Sequence, residues 1–203
     1  TDGSAIMGLL LNFFYAKFKS LLEIEVDGEY YNFFNEFITP QIQVVTKLNS
    51  KEEFYNKVEF LSWYDDNNNN IKSIKYLKGL ASNSAEDTLR YFKNFDNFLI
   101  PIRVDKQSDY YMNMAYSGNK TEIELRKQWV QTCTEDTYLP RIQNQPINIS
   151  PFIMKDLVLF SHESCTRSIP NIYDGLKPTQ RKILYTLFSL SEKDALKPRK
   201  VFE

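Results

Sequence analysis

Between Ser168 and Tyr185 the sequence reads SIPNIYDGLKPTQRKILY, and three cations, Lys177, Arg181 and Lys182, fall where a helix is expected to begin. Pro178 suits the first helical position, where a missing N–H costs nothing. Ile183, Leu184, Leu187 and Phe188 then share one apolar face, with Arg181, Lys182 and Tyr185 largely off it. A helix N-terminus attracts anions through its free N–H groups and its dipole, so cations placed there oppose that dipole. A bound phosphate reconciles the two, accepting the N–H groups and pairing with Lys177, Arg181 or Lys182. A solvated cationic face fits the same residues equally well, and spacing alone leaves both open.

Other candidate chemistry is sparser. Arg126-Lys127 is a second basic pair, in the helical stretch ELRKQWV. Lys78-Gly79 follows a strand pattern, and its glycine permits close backbone approach to a phosphate. It lacks the flanking glycines of a nucleotide-binding loop. His162 and Cys165 stand three residues apart, but two ligands fall short of a zinc site. The single histidine has no nucleophile pattern around it, so no hydrolytic triad is expected. Two cysteines, Cys133 and Cys165, make no disulfide framework and suggest a reducing compartment.

These residues must be positioned by a chain of 203 residues, long enough for one large domain or two modest ones. Hydrophobic residues at 42% and charged residues at 25% are ordinary for a globular protein, and 15 Phe with 13 Tyr predict aromatic-rich cores. A net charge of −1 excludes a uniformly basic nucleic-acid coat. Residues 171–203 nevertheless carry seven Lys/Arg against four acids, a local +3 where the rest is −4. That asymmetry points to an anionic partner near this end.

Ile6–Phe14 is too short to span a bilayer and, apolar almost all round, predicts a core helix packed against a sheet. Asp2 and Ser4 supply acceptors at its start. Residues 34–46 read as extended, interrupted by Pro40. Residues 51–64 space Phe54, Val58, Leu61 and Trp63 as a surface helix, and Asp65–Asn70, including the Asp65-Asp66 pair, reads as a solvated loop. IKSIKY (71–76) alternates as a strand. Ser84 is placed to cap the helix after it, with Glu86 and Asp87 in the first turn. FLIPIRV (98–104) is strand-like, a polar stretch follows, and residues near 120–133 are helical. Residues 137–151 hold three prolines and read as a connector, and the remainder is mainly helical. The fold class expected is α/β through about residue 150, followed by a mainly helical part over 151–203.

RSIPNIYDGLKPTQRKILYTLF (167–188) closely resembles the start of the winged-helix DNA-gate domain of type IIA DNA topoisomerases, particularly the eukaryotic and large-DNA-virus form. TDGSAIMGLLLNFF (1–14) is similar to the end of the acidic metal motif of that family's TOPRIM domain, with the helix that follows. EFITP (36–40), IKYLKGLAS (74–82) and ELRKQWV (124–130) fall in the family's order, so the resemblance spans nearly the whole chain. It implies a TOPRIM-like α/β part with connector over residues 1–150 and the beginning of a winged helix over 151–203. By the same resemblance, Lys177, Arg126 and Lys127 match DNA-contacting positions, and Arg181 and Lys182 are backbone contacts. Lys78 lies near the DNA-facing junction, and Asp2 is a carboxylate behind the direct metal ligands. Two departures bear on these roles. Ala5-Ile6-Met7 stands where the family has His-Ile-Lys, and Ala81-Ser82 where it has Gly-Thr.

The activity implied is ATP-dependent passage of one duplex through a transient double-strand break made by tyrosine transesterification, with Mg2+ and ATP as cofactors. Double-stranded DNA is the implied partner, the full-length protein a homodimer with no membrane attachment. It would be nuclear if eukaryotic, in host cytoplasm or nucleus if viral, and not secreted. The alternative is a non-catalytic DNA-binding module derived from the same core. The motifs place this sequence as an internal fragment lacking the nucleophilic tyrosine, with the principal metal ligands and the ATP site elsewhere. Tyr173 and Tyr185 are then expected in core or groove packing, and the fragment alone is expected to be inactive.

Overall fold

The computed structural model describes residues 2–77, 83–134, 137–142 and 145–190, without the side chains of Asp2, Tyr30 and Leu190. The chain divides into a first unit, Thr1–Phe160, and a second, Ser161–Glu203.

The first unit opens with helices α1 (Asp2–Lys17) and α2 (Lys19–Leu22), followed by the hairpin β1 (Glu25–Val26) and β2 (Glu29–Tyr30). Strand β3 (Asn35–Phe37) ends before the fully buried Pro40, and β4 (Ile42–Thr46) resumes beyond it in a different sheet. The chain thus breaks at the proline, which cannot donate to a ladder. Next come β5 (Lys51–Phe54), α3 (Lys57–Asn67), a 3-10 turn (Asn68–Asn70), β6 (Ile71–Tyr76) and α4 (Ala85–Lys93). A 3-10 turn over Phe95–Phe98 leads into β7 (Leu99–Arg103), α5 (Ser108–Tyr116) and α6 (Lys120–Gln131). β8 (Ile147–Asn148) and α7 (Ile149–Pro151) run into a π-helical segment, Phe152–Leu157, which continues as α8 (Val158–Ser168) across the division between units.

Two three-stranded sheets organise this unit. In the order β5-β4-β6, both pairings are antiparallel, and central β4 is buried along most of its length. Ile42 and Val44 of β4 with Phe60 of α3 form a small core that Phe54, Trp63, Tyr64, Ile71 and Ile74 surround. The other sheet, β3-β7-β8, pairs β3 with β7 antiparallel and β7 with β8 in parallel. It contributes Ile100, Ile102 and Ile147 to the larger core, alongside Leu11, Trp129, Ile149, Phe152, Ile153 and Val158. The α/β first part and mainly helical end follow the sequence expectation.

Several elements differ from it. Residues 51–54 form a strand instead of the start of a helix: Lys51 pairs with Val45 and Phe54 with Ile42. Glu53 is also gripped from α4 by Arg90 and accepts from Gln43 Nε2 at 3.0 Å. The helix begins later, because Asn56 accepts the Glu59 N–H at 2.8 Å as its N-cap. The Asp65–Asn70 run is not a loop; α3 extends through Asn67 and closes in the 3-10 turn. Helix α5 occupies the polar stretch that carried no apolar periodicity.

The largest difference concerns α1. Only its Gly8–Leu11 side is buried, with Gly8 against the Tyr116 hydroxyl of α5 and Leu157 of the π-helical segment. Ile6, Leu9, Leu10 and Phe13 are half exposed or more, so among the described residues no sheet covers that stripe.

The second unit consists of the rest of α8, the loop 169–177 and α9 (Pro178–Leu190). Ser84 and Pro178 act where their types predict. Ser84 Oγ accepts the Asp87 N–H at 3.1 Å, and Pro178 is the first residue of α9.

Candidate nucleic-acid interface

The loop before α9 is tied by its own polar groups. Asn171 accepts the Tyr173 N–H through Oδ1 at 2.9 Å, and its own N–H donates to Leu176 O at 3.0 Å. Gly175 N–H donates to Asn171 O at 2.8 Å, and Gly175 has a φ of +68°, the left-handed region that glycine enters without strain. Asp174 accepts the Leu176 N–H at 2.9 Å and both Arg181 Nε and Nη2, at 2.9 and 2.8 Å. At the helix start, the Gln180 side chain accepts the Lys177 N–H at 2.8 Å, half of a reciprocal cap.

The electrostatics follow from this geometry. The Arg181 side chain, then the Leu176 N–H, hold the Asp174 carboxyl below its ordinary value, and Asp174 in turn raises Arg181. Arg181 is therefore committed to bracing the turn. Lys177 and Lys182 are exposed, and neither ammonium has an ion-pair partner among the described residues. The first amides of a helix have no intrahelical acceptor. The start of α9 thus joins backbone donors with two available cations on a turn whose shape is fixed. Such an arrangement can accept a phosphate. Tyr173 and Tyr185 are 95% and 74% exposed, so of the core or groove packing expected for them neither takes the core place.

Arg126 and Lys127 lie on α6 of the first unit and are used differently. Arg126 is half-buried and donates through Nη1 to Met114 O and Ser117 O at 2.8 and 2.9 Å, and through Nη2 to Ser117 O at 2.9 Å. Lys127 is exposed and meets Glu124 at 2.6 Å. Lys78 falls outside the described residues, as does the side chain of Asp2, the first residue of α1.

Ser4, two residues on from Asp2, donates to Asp156 Oδ2 at 3.0 Å. Asp156 is in turn held by Arg141 Nη2 at 2.8 Å, and Arg141 also grips Glu36 through Nε and Nη2 at 3.1 and 2.9 Å. Burial alone would lower the Arg141 pKa, but the Asp156 and Glu36 carboxylates raise it, so this buried guanidinium stays charged. Sequence reasoning missed this network because Glu36 lies 105 residues from Arg141. The Asp174–Arg181 brace was missed as well: Asp174 lies in the turn before α9, where helical spacing does not relate it to Arg181. Among the described residues no group of three His, Cys, Asp or Glu could hold a metal ion. Also among the described residues, no helix is long and apolar enough to cross a membrane.

The family described as "C-terminal associated domain of TOPRIM" matches residues 37–165, and the family described as "DNA gyrase/topoisomerase IV" matches residues 167–202. DNA topoisomerase 2 of Drosophila melanogaster is 35% identical over 209 residues, covering 97% of this chain and 14% of that protein. DNA topoisomerase 2 of Saccharomyces cerevisiae is 37% identical over 201 residues, covering 97% and 13%. A crystal structure of the Plasmodium falciparum topoisomerase II DNA-binding, cleavage and re-ligation domain superimposes with a TM-score of 0.77 at 33% identity, covering 93% of this chain and 24% of that one. The chain thus spans about a seventh of the length of these curated relatives.

Proposed function

The chain belongs to the type IIA DNA topoisomerases, and on that premise we propose that it is a DNA-cradling section of their cleavage core. The whole enzyme would pass one duplex through a transient double-strand break, as a nuclear homodimer using ATP and magnesium. This segment's part is to hold the duplex that is cut. The observation that carries the reading is the braced turn before α9, which presents Lys177 and Lys182, unpaired among the described residues, beside the first-turn amides of Thr179 and Gln180.

In this role Lys177 meets a backbone phosphate of the gate duplex, and Lys182, five residues on, adds a second contact. Arg181, through Asp174, keeps the turn from collapsing when phosphate is absent. Phosphate contacts position a duplex without reading its sequence. None of the described tyrosines is assigned as nucleophile in this reading.

The test is duplex affinity of this chain as a function of salt. Affinity should fall steeply as salt rises, with log affinity against log salt losing about 0.9 in slope for each phosphate contact removed. Lys177→Gln and Lys182→Gln should each lower the slope by about that amount, on duplexes of unrelated sequence. Absence of binding at low salt would return both lysines to a solvated cationic face.

A further inference from the structure

Arg126 and Lys127 are neighbours on α6 with opposite fates, and the contrast assigns them different work. The last carbonyls of a helix have no intrahelical partner and carry its negative dipole end. At the end of α5 the Met114 and Ser117 carbonyls are taken by the Arg126 guanidinium through three hydrogen bonds of 2.8–2.9 Å. The contact uses two nitrogens of one rigid, planar fork, a geometry that a single ammonium nitrogen does not reproduce. Arg126 is half-buried in doing so. Lys127 keeps 64% of its side chain exposed and touches Glu124, itself 67% exposed. Exposed pairs of this kind are weak, so a phosphate can replace Glu124 at the Lys127 ammonium.

We infer that Arg126 is a positioning residue for Lys127: it pins α6 to the terminal carbonyls of α5 so that Lys127, one residue on, makes the phosphate contact. This rests on the reading above that the chain binds duplex DNA. Three of the five Arg126 N–H donors are committed to backbone, which turns its guanidinium to the end of α5 and leaves the exposed ammonium of Lys127 as the phosphate contact.

The experiment measures duplex affinity of the 203-residue chain from low to moderate salt, for Lys127→Gln, Arg126→Lys, Arg126→Gln and the double variant Arg126→Gln/Lys127→Gln. Melting curves accompany each. Lys127→Gln should reduce the salt slope by about 0.9. The double variant should show the same reduction and no more, because Arg126 acts only through Lys127. Arg126→Lys keeps the charge but cannot span two carbonyls, so it should bind as weakly as Arg126→Gln.

Two results would overturn the inference. One is a double variant whose slope falls by about 1.8 with Arg126→Lys matching the unmodified chain, the behaviour of a direct contact. The other is an unchanged slope in Lys127→Gln, which decides the matter even if an Arg126 variant fails to fold. Loss of binding in the unmodified chain would instead indict the DNA-binding reading.

Discussion

In the first unit Arg141 lies between Glu36 and Asp156 with 14% of its side chain exposed; in the second, Arg181 grips Asp174 with 43% exposed. Both are charge-assisted and bidentate, yet they belong to different kinds of structure. Around Arg141 stands a core that includes Phe152, Ile153 and Val158, each fully buried. Around Arg181 none of the described residues of the second unit is buried, and Ile172 is 93% exposed. In the first unit a polar group is therefore part of the interior and must be satisfied there. In the second it shapes a surface, on which Lys177 and Lys182 are exposed and unpaired among the described residues. The same chemistry holds a fold together in one place and shapes an exposed turn in the other.

The sharpest way to break this comparison is to remove each arginine. Arg141→Ala leaves two carboxylates buried without their cation, a loss of about 3–5 kcal/mol. Trp63 and Trp129 both lie in the first unit, so urea unfolding followed by tryptophan fluorescence reads that loss directly. Arg181→Ala should leave the same curve unmoved and act instead on duplex affinity. Equal destabilisation by the two substitutions would show that the second unit is as deeply cooperative with the core as Arg141 is.

How much of this was legible beforehand follows from the range of each interaction. Ser84 with Glu86 and Asp87, the alternating 71–76 strand and Pro178 at the start of α9 depend on neighbours within a few residues, and all appear where their types predict. Lys51–Phe54 looked helical because its apolar spacing runs on into α3, whereas the strand depends on a hairpin with the preceding β4 and on Arg90, 37 residues away, which anchors Glu53. Helix α1 shows a second limit. Its apolar residues announce a helix, but periodicity does not say which faces are covered, and Ile6, Leu9, Leu10 and Phe13 are not. At the candidate site, Lys177, Arg181 and Lys182 could be found from spacing, whereas their division of labour could not. The Asp174 brace sets Arg181 apart, and the α5 carbonyls set Arg126 apart from Lys127.

A smaller effect should follow from Gly175→Ala. A side chain there meets no neighbour, so space is not at issue; the φ of +68° is. Holding a residue with a Cβ in that region costs about 1 kcal/mol, and the turn is the structure that bears it. The amides of Gly175 and Leu176, which close the turn onto Asn171 and Asp174, should exchange with solvent about fivefold faster, the kinetic equivalent of that energy. Tryptophan-detected unfolding of the first unit should not change. A shift in its midpoint would mean that the second unit's turn contributes to the core it is contrasted with.

The mildest probe is acid, because it acts on both units and only its signature differs. Asp87 is held below its ordinary value of 3.8 first by the Ser84 hydroxyl. For Asp105 burial pushes the other way, but donation from the Ser150 side chain and backbone, Gln107 and Ser108 outweighs it. Asp174 is lowered by Arg181 and the Leu176 N–H. Each folded value lies below the unfolded one, so each contribution to stability is fully present above about pH 4 and is lost as pH falls through the folded value. In the first unit the loss should appear as a declining tryptophan-detected unfolding free energy below about pH 4, and Asp105→Asn should flatten that decline. In the second unit protonation of Asp174 should free Arg181 and loosen the turn without a cooperative transition, read by NMR as a titrating Leu176 amide. If that amide instead moves only when the tryptophans report unfolding, the braced turn is an extension of the core, and the distinction between a satisfied interior and a presented surface fails at the residue that defines it.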